Sequence, residues 1–519
     1  MPQELPGFYY DAEKNRYFPI KGPIPGSSRA SSSSSSRAQK GFTEQTKVIS
    51  SCRRACVRTS KLLQARELCG NIVYSITGKC NFKEEVQKTQ VSQPKVWKYS
   101  GTQNICDCAL EQMRVNVQMV EGQTERDILL TGGINGLFSF IEVPKAQEQF
   151  GYTIQCVPTC VWPIIKGNQT GCSGVPGHVW RDRRASIQMS SNISCVKLFS
   201  KSSASAIDDG WSKHALISTL GSESHGGSLC VLNFVDPIEV NPNIPLQSIQ
   251  EVATFQCTIW TVDCGSNDNQ AVIGSNLGAA LVDMETRRAS WVLRSKSDVL
   301  SLQSVRSGNV VLCGLRNGAI VTVDVRERRE GSSARLVRHR ISHLASDNTI
   351  GKSSKGSFKI SGNIHTSRTV KLPSSISSLV SLQYDDQYFL ASSMDGSVKL
   401  YDHRLTQRGA VQSYEGHVNS HTRIQLGVDP FEKFVMSGGE DNNLRIWSIK
   451  SGELLFQDKF SNKVLSTVCW QRAENFKPYI QLNDEEKERR SFYECFGDES
   501  CSSGAWLGSQ EGLFYMNWP

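Results

Sequence analysis

The sequence predicts an all-β fold: a seven-bladed β-propeller preceded by a short N-terminal extension, part helical and part disordered. Three observations lead there. First, the stretch from Ser375 to Ile449 contains two tandem units of one design. Each runs from an apolar alternating segment through small residues (LASS, VMSGG) and an acidic turn (Met394-Asp395-Gly396, Glu440-Asp441-Asn442) to an alternating strand. Period-two alternation between Asp/Gly/Asn turns marks half-buried antiparallel strands. Second, these strands end in Tyr401 and Trp447, 46 residues apart, and a propeller blade repeats every ~40–45 residues. Third, weaker copies of the plan recur along most of the chain, enough to complete a ring.

The second unit suggests its own internal chemistry. Gly416-His417 opens it, as in repeats of the WD type. Asp441 can accept hydrogen bonds from turn amides and from an imidazole such as that of His417. The indole N–H of Trp447 needs a buried acceptor, which the hydroxyl of Ser437 can supply. His417, Ser437, Asp441 and Trp447 are therefore expected to form one satisfied network inside a blade. His417 is read as architecture rather than as a ligand or a catalyst.

At 519 residues the chain has length for about three ordinary domains, but a propeller is a single array, and seven blades alone need roughly 300 residues. Its 58 Lys and Arg against 50 Asp and Glu leave a net charge of +8, too mild for a dedicated nucleic-acid binder. No apolar run reaches the ~18–20 residues that span a bilayer, and the N-terminus lacks an apolar signal core. The expectation is an intracellular protein, nuclear and/or cytoplasmic, with its 17 cysteines reduced and mostly buried as small hydrophobes.

In chain order, residues 1–20 (MPQELPGFYYDAEKNRYFPI) are rich in aromatics, unlike a disordered tail, and read as a short docking segment. Residues 21–58 form a flexible Ser/Pro/Gly-rich linker. Within 59–94, Leu62, Ala65, Cys69 and Ile72 recur at helical spacing with Leu68 beside the stripe, so an amphipathic helix and a connector are expected. That helix either caps the propeller or is presented to a partner. The propeller then occupies 95–519, with units near 104–143, 192–236, 252–294, 297–339, 374–415, 416–460 and 464–518. Insertions near 340–372 and 474–503 leave from loops, and the first is expected to be mobile. The last blade needs an edge strand to close the ring; the segment 95–100 is the candidate.

No catalytic signature is present: the sequence holds no GxSxG, GxxxxGK[ST], HExxH or CxxC. Cys156, Cys160, Cys172 and His178 offer four N/S ligands in a Gly/Pro-rich stretch. Their spacing fits zinc patterns only loosely, so thiols in an ordinary loop is the preferred reading, and neither metal nor cofactor is expected. The basic run around Arg328 and Arg329 reads as a solvated loop. A pair of matching strand ends is more informative. Val323-Asp324-Val325-Arg326 closes the fourth unit and Tyr401-Asp402-His403-Arg404 the fifth. The aspartate caps a turn, while the arginine two residues on leaves the same face. Guanidinium is planar, always charged and able to bond bidentately, so two on neighbouring blades make a docking point.

The paired segments VLCGLRNGAIVTVDVR and FLASSMDGSVKLYDHR resemble the tandem WDxR boxes of cullin-4-associated WD-repeat substrate receptors. ELPGFYYDAEKNRYFPI, YEGHVN and EDNNLRIWSIKSGELL are similar to segments of the same family. In that family the box arginines contact the damaged-DNA-binding-protein adaptor that tethers the receptor to cullin 4. Carried over by position, the resemblance implies that Arg326 and Arg404 contact the adaptor and that Asp324 and Asp402 orient them. Val323 and Tyr401 stand where the box has tryptophan, so the packing beneath differs. The family's helical segment ahead of the propeller corresponds in place to residues 59–73. The function implied is that of a non-catalytic receptor holding an unidentified target protein for ubiquitination. A general WD-repeat interaction scaffold in another nuclear or cytoplasmic complex is the alternative.

Overall fold

A computed structural model describes residues 8–11, 16–19, 59–75, 78–119, 122–143, 154–163, 175–181, 186–199, 214–222, 225–233, 238–239, 249–265, 269–305, 308–326, 337–341, 356–362, 369–471 and 504–518. The alternating segments fold into seven sheets, antiparallel throughout except where Ile238–Glu239 runs parallel to the inner strand of blade one. Their innermost strands touch in chain order, and the seventh touches the first, so the sheets form a closed seven-bladed WD-repeat propeller. Each blade is packed on both faces, which is why strands such as Val310–Leu315 and Ala319–Asp324 are apolar along nearly their whole length. One apolar cluster fills each of the seven gaps between blades.

Blade four comprises Val299–Ser304, Val310–Leu315, Ala319–Asp324 and Val370–Lys371, from the channel outward. Blade five comprises Ile376–Ser381, Tyr388–Ser393, Val398–Asp402 and Gln412–Tyr414, and blade six Leu426–Val428, Phe434–Gly438, Leu444–Ser448 and Leu454–Asp458. Blade seven takes Leu465–Trp470, Ala505–Ser509 and Gly512–Asn517 from the C-terminal end of the chain. Its fourth strand, Lys95–Tyr99, comes from ahead of blade one and pairs Tyr515 with Trp97 and Met516 with Val96. The segment offered by the sequence for closure is the one used. Val96, Trp97 and Tyr99 are all buried, and Pro158–Trp162 covers the outer edge of their strand.

The region 340–372 departs from the mobile insertion expected. Gly356–Gly362 pairs with Ala289–Ser295 at the edge of blade three, Val337–Ile341 pairs with Gly356–Gly362, and Val370–Lys371 is the outer strand of blade four. Long excursions that return to a sheet edge satisfy backbone groups the edge would otherwise leave open.

Ahead of the ring stand two helices, α1 (Thr59–Cys69) and α2 (Phe82–Val91), joined by a hairpin of Ile72–Ser75 and Gly78–Asn81. The expected stripe on α1 is only partly used. Leu62 is buried against Phe82, whereas Leu63, Leu68 and Ile72 are 49 %, 85 % and 46 % exposed. The described contacts of α1 run through Leu62 and through Arg66, which lies over the Phe82 ring, and Leu63 and Leu68 face outward. No helix among the described residues is long and apolar enough to cross a membrane.

Residues 1–51 form a separate unit in which Phe8–Asp11 and Arg16–Pro19 make an antiparallel hairpin. The linker 21–58, Cys172 and the insertion 474–503 lie outside the described residues.

Candidate functional site

The third strand of every blade ends at the same rim. The last residues are Val143, Asn233, Asp283, Asp324, Asp402, Ser448 and Asn517 in blades one to seven. Blades four and five alone follow an aspartate there with an arginine two positions on. Blade three has Asp283-Met284-Glu285, and blade six has Ser448-Ile449-Lys450. The register is shared as well: Asp324 lies opposite Val310, and Asp402 opposite Tyr388, each the first residue of its second strand. Arg326 and Arg404 therefore emerge on one rim, from adjacent blades.

Both arginines are held in the same way. Asp324 Oδ1 accepts the backbone N–H of Arg326 at 3.0 Å and its Nε at 3.0 Å, while Oδ2 accepts Nη2 at 2.6 Å. Asp402 receives Arg404 N at 2.8 Å, Nε at 3.2 Å and Nη2 at 3.0 Å. The fork fixes the plane of each guanidinium without hiding it. The aspartate side chains are 9 % and 6 % exposed, the arginine side chains 65 % and 57 %. Hydrogen bonding from Arg404 holds the Asp402 carboxyl below its usual range. Such preorganised cations lose little conformational freedom on meeting a carboxylate or carbonyl of a partner. Tyr384, Leu405 and Val411, all of blade five, are exposed near Arg404. Where a WDxR box has tryptophan, Val323 is fully buried and Tyr401 stacks on Phe389 with ring centroids 5.4 Å apart.

The rim continues into blade six by contacts the sequence reading missed. Lys450 Nζ donates to Glu84 Oε1 of α2 at 2.8 Å, Lys433 Nζ to Gln87 Oε1 at 3.2 Å, and Lys88 Nζ to Glu453 Oε2 at 3.3 Å. Helix α2 thus lies beside the blade that follows Arg404. Its start was legible: Asn81 accepts from Lys83 N at 3.1 Å, and Asn81 with Glu84 three residues on is a helix-start signature.

The network expected in blade six is wired differently. Trp447 Nε1 donates to the Glu415 carbonyl at 2.9 Å, not to Ser437. His417 Nε2 bonds the Gly438 carbonyl at 2.9 Å and lies 3.3 Å from Ser437 Oγ. Asp441 grips Arg445 and Asn443 instead of the imidazole. The cause is local: Arg445 is buried four residues beyond Asp441 and claims the carboxylate, leaving His417 a backbone acceptor. Burial pushes the imidazole pKa down from 6.5.

Neighbouring Glu440 ties the loop between blades five and six. It accepts from Ser420 Oγ at 2.6 Å, His421 N at 3.0 Å, and Thr422 N and Oγ1 at 2.9 and 2.6 Å. Burial alone would push this carboxyl up, but the hydrogen bonds bring it down to about 2. A folded-state value below the unfolded one contributes stability at neutral pH and loses it as pH falls from about 4.5 towards 2. Glu440→Gln should therefore melt below the wild type at pH 7, with the gap in Tm closing on acidification. A gap independent of pH would contradict this role.

Of the four possible metal ligands, the described three do not form a group that could hold a metal ion. Cys156 lies in Ile154–Cys156 of blade one, Cys160 in Pro158–Trp162 on blade seven, and Cys172 outside the described residues. His178 Nδ1 is 3.0 Å from Gln155 Nε2. Among the described residues no group of three or more His, Cys, Asp or Glu could hold a metal ion.

Comparison with known proteins agrees with the ring. The WD domain, G-beta repeat, matches residues 365–402 and 409–448. The chain is 24 % identical over 466 residues to a Homo sapiens protein named DDB1- and CUL4-associated factor 4, covering 87 % of this chain and 78 % of that one. The Bos taurus protein of the same name is 23 % identical over 470 residues, with the same shares. Homo sapiens DDB1- and CUL4-associated factor 4-like protein 2 is 30 % identical over 161 residues, which is 31 % of this chain and 32 % of that protein.

Proposed function

We propose that this chain is a non-catalytic substrate receptor of a cullin-4 RING ubiquitin ligase, acting in the nucleus or cytoplasm. Arg326 and Arg404 grip the damaged-DNA-binding-protein adaptor, with Asp324 and Asp402 as their clamps. The observation that carries the reading is the matched pair of bidentate forks, on adjacent blades and one rim, each arginine side chain more than half exposed. The names of the similar proteins, which join DDB1 and CUL4, support the same partner. The receptor works by proximity. Holding a target protein beside the ligase raises the effective concentration of its lysines, and no bond is made or broken by this chain.

Helix α1 extends the same surface. It rests on α2, which is tied to blade six, the blade after the one that carries Arg404, and it presents Leu63 and Leu68 outward. An exposed apolar helix face on a rim that also carries an arginine pair suits a protein partner. Leu68→Asp should weaken adaptor binding about tenfold, equivalent to ~1.4 kcal/mol, with an unchanged Tm because the side chain is exposed. Titration of purified adaptor against the purified chain tests the whole reading. Saturable binding supports a receptor, whereas a scaffold of another complex would show none.

A further inference from the structure

The rim opposite Arg326 and Arg404 is built from the turns between second and third strands and from the loops between blades. Its charge is divided into two halves. On blades five and six, residues 393–397, 415–425 and 439–443 carry Asp395, Glu415, Glu440 and Asp441 against Arg423 as the one arginine or lysine. On blades three and four, residues 255–258, 276–277, 294–298, 316–318 and 371–375 carry Arg294, Lys296, Arg316 and Lys371 against one carboxylate, Asp298.

The parts of the basic half are joined. The Leu277 carbonyl accepts Ser295 N at 3.1 Å and Gly278 pairs with Arg294, so the turn presenting exposed Leu277 lies beside Arg294 and Lys296. Arg316 N donates to the Asp298 carbonyl at 2.8 Å, and its Nη2 to Asp298 Oδ2 at 2.9 Å. Two of the cations stand over aromatic rings: Arg294 Cζ is 4.1 Å from the Trp291 ring centroid, and Arg316 Cζ is 5.4 Å from that of Trp260. A ring beneath a guanidinium limits its rotamers, so less freedom is lost when it grips a carboxylate. The Arg316 side chain is still 54 % exposed. Lys296 is exposed and makes no hydrogen bond or ion pair among the described residues. Exposed cations in excess favour an anion, and an exposed leucine among them favours one that alternates acidic with apolar groups. A polypeptide does so. A nucleic-acid strand, charged at every phosphate, would run on into the acidic half of the same rim.

We infer that the basic half of this rim docks a short acidic segment of the target protein, its carboxylates on Arg294, Lys296 and Arg316 and an apolar side chain against Leu277. Calling the partner a target rests on the receptor function proposed above; the docking surface itself uses neither Arg326 nor Arg404.

Fluorescence anisotropy of a labelled, capped Asp-Glu-Leu-Asp-Glu-Leu peptide titrated with the full chain tests it. A capped Asn-Gln-Leu-Asn-Gln-Leu peptide is the uncharged control and a short oligothymidine the competing polyanion. Saturable binding of the acidic peptide is expected, weakened by added salt and reduced about tenfold by Lys296→Glu and by Arg294→Glu. Glu415→Gln, in the acidic half, should leave it unchanged. Lys296→Glu breaks no described contact, and circular dichroism checks the fold of each variant. The inference is overturned if the acidic peptide does not saturate, if the uncharged peptide binds equally, if oligothymidine binds more tightly, or if folded Lys296→Glu binds as the wild type does. A chain that binds adaptor but not the peptide sinks this inference alone. One that binds the peptide but not adaptor keeps the docking surface and sinks the receptor function.

Discussion

Replacing Arg326 and Arg404 together with alanine will weaken adaptor binding at least thirtyfold while leaving the ring folded. Each guanidinium is preorganised by two side-chain hydrogen bonds to a nearly buried aspartate and still exposes more than half of its side chain. Truncating a central arginine in an interface costs ~1–3 kcal/mol, so the pair should cost about 2–6 kcal/mol, or thirtyfold to more than ten-thousandfold in Kd. Stability should barely move. Asp324 and Asp402 keep their backbone N–H partners at positions 326 and 404, and exposed ion pairs contribute little. Lysine at either position should not restore binding, because an ammonium cannot reproduce the planar fork. Biolayer interferometry with purified adaptor, paired with thermal unfolding, separates the effects. Wild-type affinity in a folded double variant would end the assignment of these residues.

The second large effect is on the fold. Trp97→Ala in the closing strand should destabilise the chain by ~3–5 kcal/mol, since the indole is 3 % exposed between Cys160 and Tyr515 in the strand ladder. Deleting residues through Tyr99 should go further. The strand Gly512–Asn517 would then present an open, largely apolar edge, a template for pairing with other chains. Loss of the monomer peak on size exclusion and of a cooperative melt are the expected readouts. A truncated chain that stays monomeric with an unchanged Tm would show that the ring does not depend on this closure.

Blades five and six could be read from the chain because their turns carry Asp395 and Asp441 and their strands end in Tyr401 and Trp447. The closing strand was readable for a topological reason: the last blade had only three strands of its own. What escaped depends on partners remote in sequence. Backbone carbonyls such as that of Glu415 leave no trace in residue identity, so the acceptor for Trp447 was misassigned to Ser437. The return of Gly356–Gly362 to blade three is set by an open edge nearly seventy residues earlier in the chain. Helical periodicity on α1 set Leu62 and Ile72 on one stripe, but the helix ends at Cys69, and Leu62 is buried whereas Ile72 is not. The Asp-x-Arg pairs were visible as residues; that they share a rim and a clamp geometry required the ring.

The most direct test places a photo-cross-linking benzoylphenylalanine at Leu405, 43 % exposed beside Arg404, and separately at Leu277, 42 % exposed in a turn at the opposite rim. With equal exposure, only position differs. The receptor assignment predicts an adduct with the adaptor from position 405 and none from position 277. An adduct from position 277 alone, or none from either in the presence of adaptor, would contradict it.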